Sequence, residues 1–252
     1  MSKRQTTVPE VAEALRERIQ AGDFGRYGRL PPASDLAKEY QVSRDTINRA
    51  IKLLQAEGYL ESRGEGTRGV VISRSRVRIQ GITARFDLEL QKLGLVPTES
   101  NIDEPAIFPA PAQVARALGA GEGIPVVRRF RKQGAVQDGT VTPYRLAENF
   151  YPTTLADAAI LEQMQRDERF DVILAIGEKY GKAPVRIHED VVGRLPTGLE
   201  RQLLNITPQT PVLEVSRVSY AEDDTVIMMN KLIFVANLFV LSYDYPTGHW
   251  KK

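Results

Sequence analysis

The chain has 252 residues, 42% hydrophobic and 26% charged, which suits two domains that each bury a core and argues against wholesale disorder. It has no cysteine, so disulfides, thiolate metal sites and cysteine nucleophiles are excluded. No apolar run approaches the ~20 residues of a membrane helix and the opening MSKRQTTVPE lacks a signal core, so a soluble, cytoplasmic protein without a membrane partner is expected.

The net charge of +2 is unevenly spread. Residues 1 to 79 carry 15 basic and 10 acidic side chains, a net of +5, whereas the remaining 19 and 22 leave −3. Positive charge therefore gathers in the first third of the chain, an excess too modest to identify a nucleic-acid binder by itself but consistent with one whose affinity falls steeply with salt. There, Val8, Val11, Leu15 and Ile19 recur at spacings of three and four, which predicts a helix from Val8 to Gln20 ended by Gly22. DFGRYGR, Asp23 to Arg29, is a glycine-punctuated loop.

From Arg29 to Ile72 the pattern predicts two short helices, a tight turn and a hairpin. Pro31-Pro32 keeps the chain extended, Ser34 is placed as N-cap of a helix over Asp35 to Tyr40, and Ser43 as N-cap of a second over Arg44 to Glu57. Only Gln41 and Val42 separate Tyr40 from Ser43, a connection short enough to cross the helices steeply. Ile47, Ala50, Ile51 and Leu54 form the inner face of the second helix. Arg44, Asp45, Asn48 and Lys52 fall opposite, with Thr46 and Arg49 at the margins; Arg suits guanine, Asn adenine, and Thr or Lys phosphate. Tyr59-Leu60 and Val70 to Ile72 flank ESRGEGTRG, two strands with a glycine-rich tip that brings Arg63, Gly66, Thr67 and Arg68 toward a sugar-phosphate edge. A basic amphipathic helix alone is more often a solvated face; helix, turn, helix and tipped hairpin in this order is far more specific.

These residues resemble the winged helix-turn-helix domain of the GntR family of bacterial regulators, through LPPASDLA, VSRDTINRAIKLLQAEGYL and RGEGT, over about residues 8 to 72. The resemblance implies double-stranded operator DNA as partner. Arg44, Thr46 and Arg49 match family positions that contact the operator, and Gly66 matches the wing glycine. Asn48-Arg49-Ala50 is most similar to the HutC-type subgroup. Ser34 stands where many relatives place an operator-contacting Arg, and Arg68-Gly69 follow Thr67 where an aromatic and a Val are usual.

SRSRVR, Ser73 to Arg78, is a basic connector, so the expected division is a DNA-binding domain over 1–72, a linker over 73–79 and a second domain over 80–252. Beyond it, helices are expected over Asp87 to Leu93, Gln113 to Leu118, Leu155 to Gln165, Phe170 to Tyr180 and Gly198 to Leu204. Strands are expected over Thr98 to Phe108, Val126 to Lys132, Tyr144 to Phe150, Arg186 to Arg194, Val212 to Tyr220 and Val226 to Tyr243. β-Branched and aromatic runs of this kind favour an α+β domain, an antiparallel sheet with helices packed on it. PAQVARALGAGEGIPVVRRFR, FYP, YGK and ERQLLNITPQTPVLEVSRVSY resemble the effector-sensing UTRA domain of HutC-type regulators, which has a chorismate-lyase-like fold.

The resemblance implies a cleft beside the sheet for a small-molecule effector. Arg129 and Arg131 match the family's R-x-R strand, and their spacing of two places both forks on one sheet face, where an anion is one partner and cross-strand acids are another. Tyr144, Asp171, Met228 and Phe234 complete the expected cleft set. Relatives tend to have Ser and Tyr where Asp171 and Ile173 stand, Glu and Tyr for Met228 and Phe234, and G-D-R for Ala236-Asn237-Leu238. These changes imply an effector more hydrophobic than a sugar phosphate, or a closed cleft in a domain that mainly dimerises.

Catalysis finds little support. His188 and His249 lack ligand spacing, no G-x-S-x-G or phosphate loop occurs, and GAGEG lies between helix and strand, the wrong order for a dinucleotide site. Neither a cofactor nor a metal is expected. The first expectation is a homodimeric, effector-modulated repressor on a pseudo-palindromic operator; a ligand-independent DNA-binding control protein and a lyase-like enzyme are the alternatives.

Overall fold

The computed structural model describes residues 6–24, 29–62, 70–72, 77–80, 85–137 and 140–244. The chain divides into two compact units, Met1–Arg76 and Val77–Lys252.

The first unit comprises α1 (Val8–Ala21), α2 (Ala33–Glu39), α3 (Arg44–Ala56) and a hairpin of β1 (Leu60–Ser62) and β2 (Val70–Ile72). α1 starts in a capping box, with the Thr7 amide donating to Glu10 Oε2 at 2.8 Å, and ends at Gly22, whose φ of 84° few other residues adopt. The stripes predicted from spacing meet in one core of Val11, Leu15, Leu36, Ile47, Leu54 and Leu60. Ion pairs from Arg16 to Glu57 and from Arg18 to Glu39 tie α1 to the end of α3 and to α2. One expected cap is corrected. The amides of Asp35 and Leu36 already donate to the Pro32 carbonyl, so Pro32 is the N-cap and Ser34 lies within the first turn of α2. Fixed proline geometry carries the chain into the helix before Ser34 can cap it.

The second unit is built on a seven-stranded antiparallel sheet. Its elements are β3 (Val77–Gln80), α4 (Phe86–Lys92), β4 (Val96–Asn101), β5 (Ala106–Pro109), α5 (Ala112–Ala117), β6 (Pro125–Gln137), β7 (Thr140–Pro152), α6 (Ala158–Arg166), α7 (Val172–Tyr180), β8 (Arg186–Arg194), α8 (Gly198–Leu204), β9 (Val212–Tyr220), β10 (Val226–Val235) and β11 (Phe239–Ser242). The strand order is β4-β6-β7-β10-β9-β8, with β5 also on β6. Helices α6 and α7 bury Ile160, Met164 and Ile176 against Val127, Tyr151 and Ile227, while α5 covers Val126, Phe150 and Met229.

Three strand expectations change. The run expected over Thr98 to Phe108 is two strands, β4 and β5, which pair successive parts of β6. The run expected over Val226 to Tyr243 is broken by a 3₁₀ turn at Ala236–Leu238, after which β11 leaves the main sheet and pairs in parallel with β3. β3 itself takes up the end of the expected connector. Apolar side chains suit both sheets equally, so composition alone does not mark where the chain changes sheet.

A bulge shapes the site described below. Between Gln133 and Gly134 the β6–β7 register shifts, with Gln133 opposite Arg145 and Gly134 opposite Pro143, so Tyr144 is the extra residue. A Cβ on Gly134 would lie 2.1 Å from the Thr142 carbonyl oxygen, so only glycine allows this approach. The bulge sends Tyr144, fully buried, toward Phe86 and Phe239, and brings Arg145 onto the face that carries Gln133.

Candidate functional site

α3 presents one outward surface. Ser43 caps it, its Oγ accepting from the Thr46 amide at 3.0 Å, and Gln41 takes a left-handed φ of 53° to close the short turn from α2. Ile47, Ala50, Ile51 and Leu54 are buried, whereas Arg44, Asp45, Asn48, Arg49 and Lys52 are exposed and Thr46 is half-buried, its hydroxyl 2.9 Å from Ser43 Oγ. Asp45 Oδ2 holds Arg49 Nε at 2.9 Å, one helical turn apart, which aims the remaining donors of Arg49 outward. Arg44 and Asn48 have no ion pair or side-chain hydrogen bond among the described residues. Over its 13 residues α3 is about 20 Å long, a cylinder that a major groove admits. Ser34 is exposed on α2. Arg63, Gly66 and Thr67 lie outside the described residues.

The second candidate surface is one face of the large sheet. Register places Arg129, Asn149, Asn230, Arg217 and Glu189 in a row across five strands, with Arg131, Ala147 and Leu232 in the next row and Gln133, Arg145 and Phe234 in the one after. Arg129 and Arg131 do share a face, as their spacing requires, yet they are not two open forks. Arg129, 1% exposed, donates from Nη1 to the Phe170 carbonyl at 2.9 Å and from Nη2 to those of Asp167, at 3.3 Å, and Glu168. Burial and then neighbouring Arg131 lower its pKa. Arg131 pairs with Glu99, whose other oxygen accepts from Gln133 at 2.6 Å, but its buried Nε has no partner. Three loop carbonyls on Arg129 and the carboxylate of Glu99 on Arg131 thus take up most of the donors of the expected pair.

The other expected cleft residues fare differently. Tyr144 is in the core, for the bulge described above, and Phe234 packs edge-on to Phe239 at 4.7 Å between centroids while meeting Arg145 on its face. Asp171 caps α7, accepting from the Leu174 amide at 3.0 Å. Met228 Sδ lies 3.2 Å from Asn230 Nδ2. Arg145, Asn149, Arg217 and Asn230 escaped the sequence reading, although Arg145 and Asn149 sit four apart on one strand, a same-face signal. Asn230 donates to Asn149 Oδ1 at 2.8 Å, and its own Oδ1 is buried without a partner. A separate hollow of about 660 Å³ lies near the end of α5, lined by Arg116, Leu118, Tyr220 and Thr225. Its acid, Asp224, is already paired with Arg186 at 2.6 Å, and it holds none of the buried polar groups.

Two family models match this chain: bacterial regulatory proteins, gntR family, over residues 7–71, and the UTRA domain over residues 92–239. The protein belongs to the GntR family, in its HutC-type subgroup. This GntR regulator is 29% identical to an HTH-type transcriptional regulator of Streptomyces coelicolor, with 94% of this chain and 91% of that one covered. It is 25% identical to the HTH-type transcriptional repressor NagR of Bacillus subtilis, with 92% of each covered. In fold it is similar to the crystal structure of PhnF from Mycobacterium smegmatis, with a TM-score of 0.61 at 22% identity over 94% of this chain and 99% of that one. The GntR chain is thus a transcription regulator with a DNA-binding head and an effector-binding domain, a class that is not enzymatic. Among the described residues no helix is long and apolar enough to cross a membrane.

Proposed function

We propose that this regulator is a homodimeric repressor whose two heads occupy half-sites of a pseudo-palindromic operator. The single observation that carries the reading is the exposed arc of α3, on which Arg44, Asn48 and Arg49 stand together above a fully buried opposite face. Arg44 and Arg49 are assigned to guanine edges, Asn48 to adenine, and Thr46 with Ser43 to the phosphate beside the helix start. Arg63, Gly66 and Thr67 of the hairpin tip are assigned to the flanking sugar-phosphate edge. Repression is supported by the similarity to the transcriptional repressor NagR of Bacillus subtilis, and dimerisation by the two-fold logic of helix-turn-helix operators.

In this reading the connector that precedes β3 acts as the hinge, and a small molecule on the polar face of the second unit moves the dimer between head spacings of different operator affinity. The test is a gel-shift titration against DNA fragments from upstream of the protein's own gene. Arg49→Ala is expected to weaken binding by about 1–3 kcal/mol and to relax preference at one base pair in each half-site. Unchanged affinity and unchanged preference in both Arg44→Ala and Arg49→Ala would remove the base-reading assignment.

A further inference from the structure

On the outward arc of α3 one residue carries the wrong sign for a DNA-binding face. From Arg44 to Lys52 the helix bears three cations and a single acid, Asp45. At 3.6 residues per turn Asp45 stands almost diametrically opposite the buried Ile47, Ala50, Ile51 and Leu54, at the crest of the exposed side. An uncompensated anion in that place opposes docking against the phosphates and acceptor-rich base edges of any DNA sequence.

The geometry gives this acid a use. Asp45 Oδ2 lies 2.9 Å from Arg49 Nε, one turn along the helix, and each side chain is 69% exposed. In water such a pair adds little to stability. Its effect is on orientation. A guanidinium held at Nε keeps its Nη1–Nη2 edge whole, and that edge is able to span O6 and N7 of a guanine. The same tether keeps Arg49 from swinging aside to a phosphate. Arg44 has no such tether among the described residues. A carboxylate in the first turn of α3 also favours the helix macrodipole, but an acid anywhere in that turn serves the dipole, whereas the contact with Nε needs a position one turn before Arg49.

We propose that Asp45 is a positioning residue for operator reading: it holds Arg49 edge-on to a guanine and repels DNA that lacks one, so it narrows sequence preference while weakening binding overall. The inference rests on the assignment of Arg49 to a guanine edge. On matched DNA the guanidinium lies between the guanine acceptors and the carboxylate, and one cation serves both. On unmatched DNA Arg49 stays with Asp45, and a phosphate contact that a free arginine makes is lost.

The experiment is selection of bound duplexes from a randomised DNA library by the full-length protein, followed by anisotropy titration of the selected duplex and of a scrambled one. Asp45→Asn, Asp45→Glu, Arg49→Ala and the double variant Asp45→Asn/Arg49→Ala are compared with the parent. The parent is expected to select a guanine in each half-site that Arg49→Ala no longer selects. Asp45→Asn is expected to lower the preference for that guanine by about fivefold or more, and to bind the scrambled duplex at least about twofold more tightly. Asp45→Glu, whose longer carboxylate also pairs at this helical spacing, should recover part of the preference. The double variant should show the base preferences of Arg49→Ala, because Asp45 acts through Arg49.

A fall in Tm of Asp45→Asn with base preference unmoved marks a purely structural role; it overturns the inference and leaves the Arg49 assignment standing. Scrambled-duplex binding that does not tighten overturns the repulsive part. A further loss of preference when Asp45→Asn is added to Arg49→Ala overturns positioning and assigns the carboxylate to a base directly, cytosine N4 being the donor that suits an acid. A guanine preference that survives Arg49→Ala removes the Arg49 assignment, and the inference with it, before Asp45 is changed.

Discussion

Replacing Arg129 separates an anchoring role from a ligand-holding one. The side chain is 1% exposed and its guanidinium meets the carbonyls of Asp167, Glu168 and Phe170, so it fastens the loop between α6 and α7 to the sheet. Methionine keeps the length and removes every donor. Hydrogen bonds to a charged group are worth about 1.5–3 kcal/mol each. The side chains of Asp167 and Glu168 are exposed, so water can replace the guanidinium at their carbonyls; the bond to Phe170, at 2.9 Å, carries most of the loss. Removing a buried cation returns part of its desolvation cost, the leading cause of its lowered pKa. The net expectation for Arg129→Met is ~3 kcal/mol of destabilisation, which for a unit of this size lowers Tm by roughly 6–12 °C. Arg129→Lys, which keeps a charge but cannot span three carbonyls, should fall in between. Circular dichroism melts of the full chain provide the assay. If both variants melt within about 2 °C of the parent while losing effector affinity, Arg129 holds ligand and the anchoring account is wrong.

Other consequences follow from particular contacts. Ser43→Ala removes the acceptor for the Thr46 amide and should cost about 1 kcal/mol, read by urea titration of the first unit's helices, with Ser43→Asp neutral. Gly134→Ala forces a Cβ against the Thr142 carbonyl, so it should lower Tm by far more than an ordinary surface change and shift the near-ultraviolet signal of buried Tyr144; an unshifted melt would mean that the β6–β7 bulge is absent. Asp157 caps α6 through the Ile160 amide and accepts from Lys179 and, at 2.6 Å, from Tyr180 on α7; hydrogen bonds from Lys179, Tyr180 and that amide hold its pKa below the usual aspartate value. A depressed acid stabilises above its unfolded pKa and loses that contribution as pH falls through the folded one. The Tm gap between the parent and Asp157→Asn, which keeps the cap but not the charge, should therefore be widest near pH 7 and close as pH drops below about 4; a gap independent of pH would remove the ion pair from the account.

Local signals were enough for the DNA-binding head. The spacing of Val11, Leu15, Ile47 and Leu54, the two-residue turn and the Ser43 cap act within a few residues of one another, and short-range geometry leaves one way to bury those stripes. The cap was placed two residues late, at Ser34 instead of Pro32, because a proline pair and a serine both announce a helix start, and the first to act prevails. In the larger unit the same reading recovered β8, α8 and β9 to the residue, since each is bounded by its own caps and turns.

What lay beyond the sequence was every feature that depends on partners distant along the chain. The register shift at Gln133/Gly134 decides that Tyr144 is core and Arg145 faces the polar row, and strict alternation predicts neither. The loop carbonyls that occupy Arg129 come from residues about 40 positions away, at separations of 38, 39 and 41. Residue types name the chemistry a chain carries, whereas burial and long-range hydrogen bonding decide which of those groups are already satisfied. A charged side chain becomes available to a ligand only when the fold leaves it without a counterpart, and that is a property of three-dimensional neighbours.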